Sequence, residues 1–304
     1  MSAVSNPVLI DLDQPRPGYH HFISCWLHRV GMATLVVDPG PASTVDQLVE
    51  ELRCHGVDRL DWILLTHIHL DHGGGTGQLC RAFPEARVVC YEPAAKHLIQ
   101  PDRLWEGSLQ VLGDKALLFG KPMSVSAERF AAPTELIELG IETIPTPGHA
   151  PHHQCYIHGD LLFAGEAAGM TCPGTASFYM RPATPPRFFL DVATASIDRL
   201  LARAVDLKRA AYAHYGLYED VPELLAAARA QMISWVEVID GLTAPGRRSW
   251  SVDLQQRTVA RLLEIDPLFA PFKDLNDDLR SRELDFFRNT LEGMLGWLDY
   301  RDRC

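Results

Sequence analysis

His67-Ile68-His69-Leu70-Asp71-His72 follows the apolar run Trp62-Ile63-Leu64-Leu65-Thr66 and precedes Gly73-Gly74-Gly75. The apolar run reads as a strand. In an extended segment residues two apart point to the same side, so His67 and His69 share one face. The chain then turns and can aim Asp71 and His72 at a neighbouring point. The glycines permit a tight turn and close approach. Imidazoles together with a carboxylate suit zinc, with iron or manganese as alternatives.

Further candidate ligands lie just past other short apolar segments. Ile141–Ile144 runs into Pro147-Gly148-His149, Leu161–Ala164 into Gly165-Glu166, and Arg209–Ala213 into His214-Tyr215-Gly216. Loops at one edge of a rigid sheet are where binding groups are displayed. The set is therefore His67, His69, Asp71, His72, His149, Glu166 and His214, enough for two divalent metal ions.

Strands are expected at Val8–Leu12, Phe22–Leu27, Thr34–Val37, Trp62–Leu65, Arg87–Tyr91, Ile141–Ile144, Gln154–Ile157 and Leu161–Phe163. Helical patterns fall at Thr44–Cys54, Gly77–Phe83 and Arg187–Ala204, and Ala94–Ser126 reads as helix with a loop. This alternation predicts a mixed α/β (α+β) architecture with buried sheets. After Leu217 the pattern turns helical. Asp220-Val221-Pro222-Glu223 reads as a helix start with Asp220 as the N-cap. A stripe through Leu225, Met232, Trp235 and Ile239 follows, with further helices at Val252–Glu264 and Leu275–Tyr300. These stripes can pack on the preceding domain, shape a substrate mouth, or form a homodimer interface. The expected division is residues 1–216 and a helical extension at 217–304.

The chain has 304 residues and a formal net charge of −11. Such a surface repels phosphate backbones, so no nucleic-acid partner is expected. No apolar stretch approaches the roughly 20 residues of a membrane helix, so no membrane partner is expected either. The start of the chain lacks the pattern of a signal peptide, and the seven cysteines form no C-x-x-C pair. A cytoplasmic protein with reduced thiols is the expectation. The pair Arg247-Arg248 reads as solvated.

The H-x-H-x-D-H block, Pro147-Gly148-His149 and His214-Tyr215-Gly216, in that order, resemble the metallo-β-lactamase-fold hydrolases over roughly residues 20 to 216. The resemblance implies a four-layer αββα sandwich with the metals at one edge of two packed sheets. It implies that His67, His69 and His149 hold a first metal and that Asp71, His72 and His214 hold a second. Glu166 stands where the family usually places a bridging Asp. Being one methylene longer, its carboxylate must fold back, hold one metal only, or widen the site. His153 matches a supporting rather than ligating position, and His152 is expected on the pocket wall. His28, His97 and His158 read as incidental.

A shared metal-bound water would attack a carbonyl or phosphorus, with Asp71 as the catalytic residue that handles the proton as well as ligating. Within that family the arrangement resembles the hydroxyacylglutathione hydrolases and lactonases. The expected function is hydrolysis of a small-molecule thioester, lactone or other ester. A phosphodiester hydrolase is the enzymatic alternative, and a regulator that binds a protein through its C-terminal helices is the non-enzymatic one.

Overall fold

The computed structural model describes residues 4–246 and 248–303. A first sheet has the order β1 (Val8–Asp11), β2 (Ser24–Val30), β3 (Ala33–Val37), β4 (Trp62–Leu64), β5 (Arg87–Val89). The chain then forms β6 (Ile141–Pro145), β7 (Gln154–His158) and β8 (Leu161–Gly165). A short antiparallel ladder follows, β9 (Met170–Thr171) with β10 (Met180–Arg181). Finally β11 (Arg209–Tyr212) and β12 (Gly216–Glu219) complete a second sheet of order β12-β11-β8-β7-β6.

Period-2 alternation sorts the side chains into layers. On β2, Trp26 enters the core between the sheets while Cys25 and Leu27 enter the core on the outer face. On β8, Leu161 and Phe163 point between the sheets, and Leu162 and Ala164 point outward. Each outer face is an apolar surface that must be covered by helices. The first sheet is covered from the segment that holds α1 (Val45–Cys54), α2 (Leu70–Gly73), α3 (Thr76–Ala82), α4 (Ala95–Ile99), α5 (Asp102–Leu112) and α6 (Asp114–Phe119). The second is covered by α7 (Leu190–Leu201), α8 (Val221–Leu242), α9 (Val252–Ile265) and α10 (Asp277–Arg301). This is the expected four-layer sandwich with its C-terminal helices.

The C-terminal stripe packs on the second sheet. Leu225, Met232, Trp235 and Ile239 share one core with Leu162, Ala210 and Tyr212. Side chains of this size contribute about 1.5–3 kcal/mol each when buried. Strand β12 starts at Gly216 and so crosses the expected 216/217 division, and the core is continuous across it. No described helix is long and apolar enough to cross a membrane.

Several local expectations change. Asp220 precedes α8 but adopts a left-handed backbone, and its side chain makes no capping bond. Ser251 and Asn276 do cap: their side-chain oxygens accept from the backbone N–H of Leu254 and Leu279, at 3.1 and 2.9 Å. Arg248 is not solvated. Its guanidinium is buried and bonds Asp240 at 2.6 Å and Asp302, tying α8 to the chain end. Arg247 and Cys304 lie outside the described residues. The other six cysteines are free thiols, five of them buried.

Candidate metal centre

Strand β4 stops at Leu64, and the chain beyond it delivers His67 and His69 in extended backbone before α2 begins. Asp71 and His72 lie on that short helix, and both are buried. The glycines after them serve space rather than handedness. Gly74 and Gly75 have ordinary right-handed φ values of −61° and −82°. A Cβ on Gly75 would stand 2.6 Å from Val45 and 3.0 Å from the Gly40 carbonyl. The glycines therefore let α2 seat against the loop before α1.

His149 arrives from the loop between β6 and β7, Glu166 from the end of β8, and His214 from the turn between β11 and β12. All seven residues meet at one sheet edge, in two groups: His67, His69, His149 and Glu166, and Asp71, His72 and His214. His149 Nε2 lies 2.9 Å from His69 Nδ1, and His72 Nε2 lies 3.1 Å from His214 Nε2. Asp71 Oδ2 is 3.6 Å from both His72 Nε2 and His214 Nε2. Glu166 joins the groups. Its Oε2 is 3.0 Å from His149 Nε2, 3.2 Å from His67 Nε2 and 3.2 Å from His72 Nε2, and its Oε1 is 3.7 Å from His214 Nε2.

The supporting hydrogen bonds fix which nitrogens stay bare. His149 Nδ1 faces the Ala183 carbonyl at 3.0 Å and His214 Nδ1 the Phe22 carbonyl at 2.8 Å. A carbonyl only accepts, so both rings carry their proton on Nδ1 and present a lone pair at Nε2. The Thr66 hydroxyl donates to Asp38 Oδ2 at 2.7 Å, so it accepts from His67 Nδ1 at 3.0 Å. That leaves His67 Nε2 buried and without a hydrogen-bond partner. Buried orphan nitrogens are rare and call for an unseen ion or water.

These distances test the fit of a metal. Four ligands bound tetrahedrally at about 2.0–2.2 Å stand about 3.3–3.6 Å from one another. The observed N–N and N–O separations, 2.9 to 3.7 Å, bracket that edge length. Lone pairs converging at such spacing repel unless a cation or protons lie among them. The donor set fits divalent metal.

Electrostatics agree. Burial opposes charge on His72, but Asp71 and Glu166 outweigh it and raise its imidazole to about 9. Burial also opposes charge on Glu166, yet His149 and His214 hold its carboxyl well below the usual range. Burial, reinforced by His149 and His152, lowers His69 to about 3. The carboxylates are thus ready to ligate, and His72 must release a proton for a metal to bind.

Glu166 is held from behind by Gly165 and His153. Gly165 has φ of +54°, and a Cβ there would come within 2.4 Å of His153 Nε2 and 2.8 Å of Thr66. The Glu166 N–H donates to His153 Nε2 at 3.1 Å, so His153 Nδ1 donates to the Thr146 hydroxyl at 2.8 Å. With both nitrogens engaged, His153 supports the centre and does not ligate.

Above the ligands opens a cavity of about 470 Å³. Its walls come from α5, the loop after β10, and α10 through Phe286, Asn289 and Thr290, so the last helix shapes the mouth as well as packing. His152 lines it as expected. His97, read as incidental, lines it too, because α4 brings its ring across the mouth. His28 and His158 are also not incidental: Nε2 of one lies 2.9 Å from Nδ1 of the other, with His28 buried. No sequence spacing links these two, since they meet only when the sheets pack. Tyr179, Tyr215 and Tyr218 direct their hydroxyls to Glu283, Asp11 and Thr171 rather than to the cavity.

Known proteins share this fold. The sequence pattern of the metallo-beta-lactamase superfamily matches residues 18–214. A metallo-beta-lactamase fold-containing protein of Sulfurisphaera tokodaii is 30% identical over 214 residues, 67% of this chain and 76% of that one. A hydroxyacylglutathione hydrolase of Citrobacter koseri is 34% identical over 151 residues, 47% of each protein, so the chain spans about half of that relative. Among solved structures, a metallo-beta-lactamase superfamily protein from Sulfolobus tokodaii superposes with a TM-score of 0.67 at 21% identity. It covers 95% of this chain and 99% of its own. One from Thermus thermophilus gives 0.60 at 19%, covering 98% and 93%. These structures share the fold. Pattern, relative and ligand set agree, and the chain belongs to the metallo-beta-lactamase superfamily.

Proposed function

We propose that this protein is a dinuclear metal-dependent hydrolase of a small-molecule thioester, lactone or other ester. The observation that carries the reading is the place of Glu166 Oε2, within 3.0–3.2 Å of imidazoles from both ligand groups on the floor of the cavity. His67, His69 and His149 would hold one ion, and Asp71, His72 and His214 the other, with Glu166 between them. Zinc suits this nitrogen-rich set best, with iron or manganese as alternatives. Two such ions supply Lewis acidity and a water that ionises near neutral pH.

The chain's own residues do the rest. The apolar walls, among them Leu104, Val111, Leu112 and Phe286, exclude bulk water and seat the substrate's hydrocarbon. Asp71 lines the cavity and stays ionised, so its Oδ2 can accept the proton of the attacking water and return it to the leaving group. Kinship to hydroxyacylglutathione hydrolases supports the thioester class.

The test is metal analysis of the purified protein, with turnover of thioester, lactone and phosphodiester panels on that same sample. About two ions per chain with thioester or lactone turnover supports the reading. One ion or none after reconstitution, or turnover of phosphodiesters alone, defeats it.

A further inference from the structure

The cavity has a charge pattern opposite to that of the protein. The chain carries a net charge of −11, yet among the described residues the only carboxylates lining the cavity are Asp71 and Glu166, both among the metal-ligand candidates. Its other charged lining residues are arginines: Arg103 on α5, exposed, and Arg181 on β10, buried.

Arg181 belongs to a closed network. Its Nε donates to Glu283 Oε2 at 2.6 Å and its Nη1 to the Pro182 carbonyl at 3.1 Å. Tyr179 donates to the same Glu283 oxygen at 2.9 Å. Arg282 donates to Glu283 Oε1 through Nε at 3.1 Å and Nη2 at 3.0 Å, and its Nη1 goes to the Gly18 carbonyl at 2.6 Å. Arg181, Arg282 and Glu283 are 1%, 3% and 1% exposed. Two buried guanidinium groups thus share one carboxylate, and one positive charge is left over.

One donor is also left over. Arg181 Nη2 is buried and has no hydrogen-bond partner, although Arg181 lines the cavity. A buried cation with an unfilled donor is costly unless an anion completes it. A guanidinium bonds carboxylates strongly. A single surplus charge matches a monoanion better than a phosphate dianion.

We propose that Arg181 is a specificity-determining residue, and that the substrate carries a carboxylate which parts the wall side chains covering its Nη2 and docks there while the scissile carbonyl meets the metal centre. This rests on the hydrolase reading and names the substrate as an acyl compound with a second, anionic end and an apolar middle. Glu283 and Arg282 act as positioning residues that hold the Arg181 fork in place.

The test uses metal-loaded protein and monothioesters of dicarboxylic acids from succinate to suberate, each paired with its neutral ω-amide. At the best chain length the carboxylate form is expected to exceed its amide in kcat/KM on the order of 10- to 100-fold, through KM. R181M should bring that ratio near one, whereas R103M should keep it. A ratio near one in the native protein, a ratio that survives R181M, or one lost in R103M instead, overturns the proposal. Should R181M fail to fold, R181K decides, because its single ammonium would be held by Glu283: a fallen ratio supports, an unchanged one overturns. If no thioester is turned over, calorimetry with the free dicarboxylates and with inorganic phosphate, on the native protein and on R181M, still separates the questions. Dicarboxylate binding that R181M weakens upholds the anion site while the hydrolase reading falls. Binding that R181M leaves unchanged, or preference for phosphate, overturns the site.

Discussion

Oε2 of Glu166 stands 3.2 Å from Nε2 of His72, a ring that belongs to the other ligand group. The longer side chain therefore neither retracts from the centre nor reaches one group alone. Gly165 and the Glu166 N–H···His153 bond set the backbone from which it extends.

Shortening that reach is the first test. Glu166→Asp withdraws the carboxylate by about one C–C bond, roughly 1.5 Å. Glu166 Oε2 is already 3.0 to 3.2 Å from three imidazoles, so the shorter acid should lose one group. The expected outcome is a fall from two metal equivalents toward one, read by elemental analysis. Retention of two ions with higher activity would mean instead that the natural site is stretched.

Asp71→Ala removes a ligand whose Oδ2 faces His72 and His214 at 3.6 Å and no backbone donor. One metal equivalent should be lost and turnover should fall on the order of 100-fold or more. The metal-free form should still fold, because no packing contact is removed. Unchanged turnover would sink the dinuclear assignment.

The Asp38–Thr66–His67 relay gives a third test. Thr66→Val keeps the shape but deletes the hydroxyl that bonds Asp38 at 2.7 Å and His67 at 3.0 Å. Loss of such support commonly weakens metal affinity by about 10- to 100-fold. Competition with a chromophoric chelator measures it, and equal affinity in both proteins would remove the relay from the account.

The His28–His158 pair, with His28 buried, predicts a pH response. Burial, with His158 and Arg209 nearby, lowers His28 to about 4, against about 6.5 unfolded. The unfolded chain then binds the extra proton first, so this group destabilises the fold as pH falls through 6.5 and its effect levels off only below 4. At pH 5 the loss from His28 is about 2 kcal/mol relative to pH 7. Denaturant titrations of metal-loaded His28→Leu should show a shallower decline over that range. An identical slope would show that His28 does not couple to folding.

Much of this protein was legible in its sequence because local rules suffice for it. Alternation of apolar residues marked the strands, a helical stripe marked α8, and His67, His69, Asp71 and His72 sit close enough in the chain for backbone geometry alone to bring them together. His149, Glu166 and His214 were recognisable from their place after apolar segments. What sequence spacing does not encode is contact between distant segments. Whether Glu166 reached one ligand group or both depended on how β8 lies against the loop after β4. The His28–His158 pair and the surplus charge at Arg181 exist only because separate elements pack there, and burial turns each from an ordinary side chain into a costly one. Local chain geometry marked the ligand candidates; long-range packing decided their spacing, their protonation and the shape of the cavity above them.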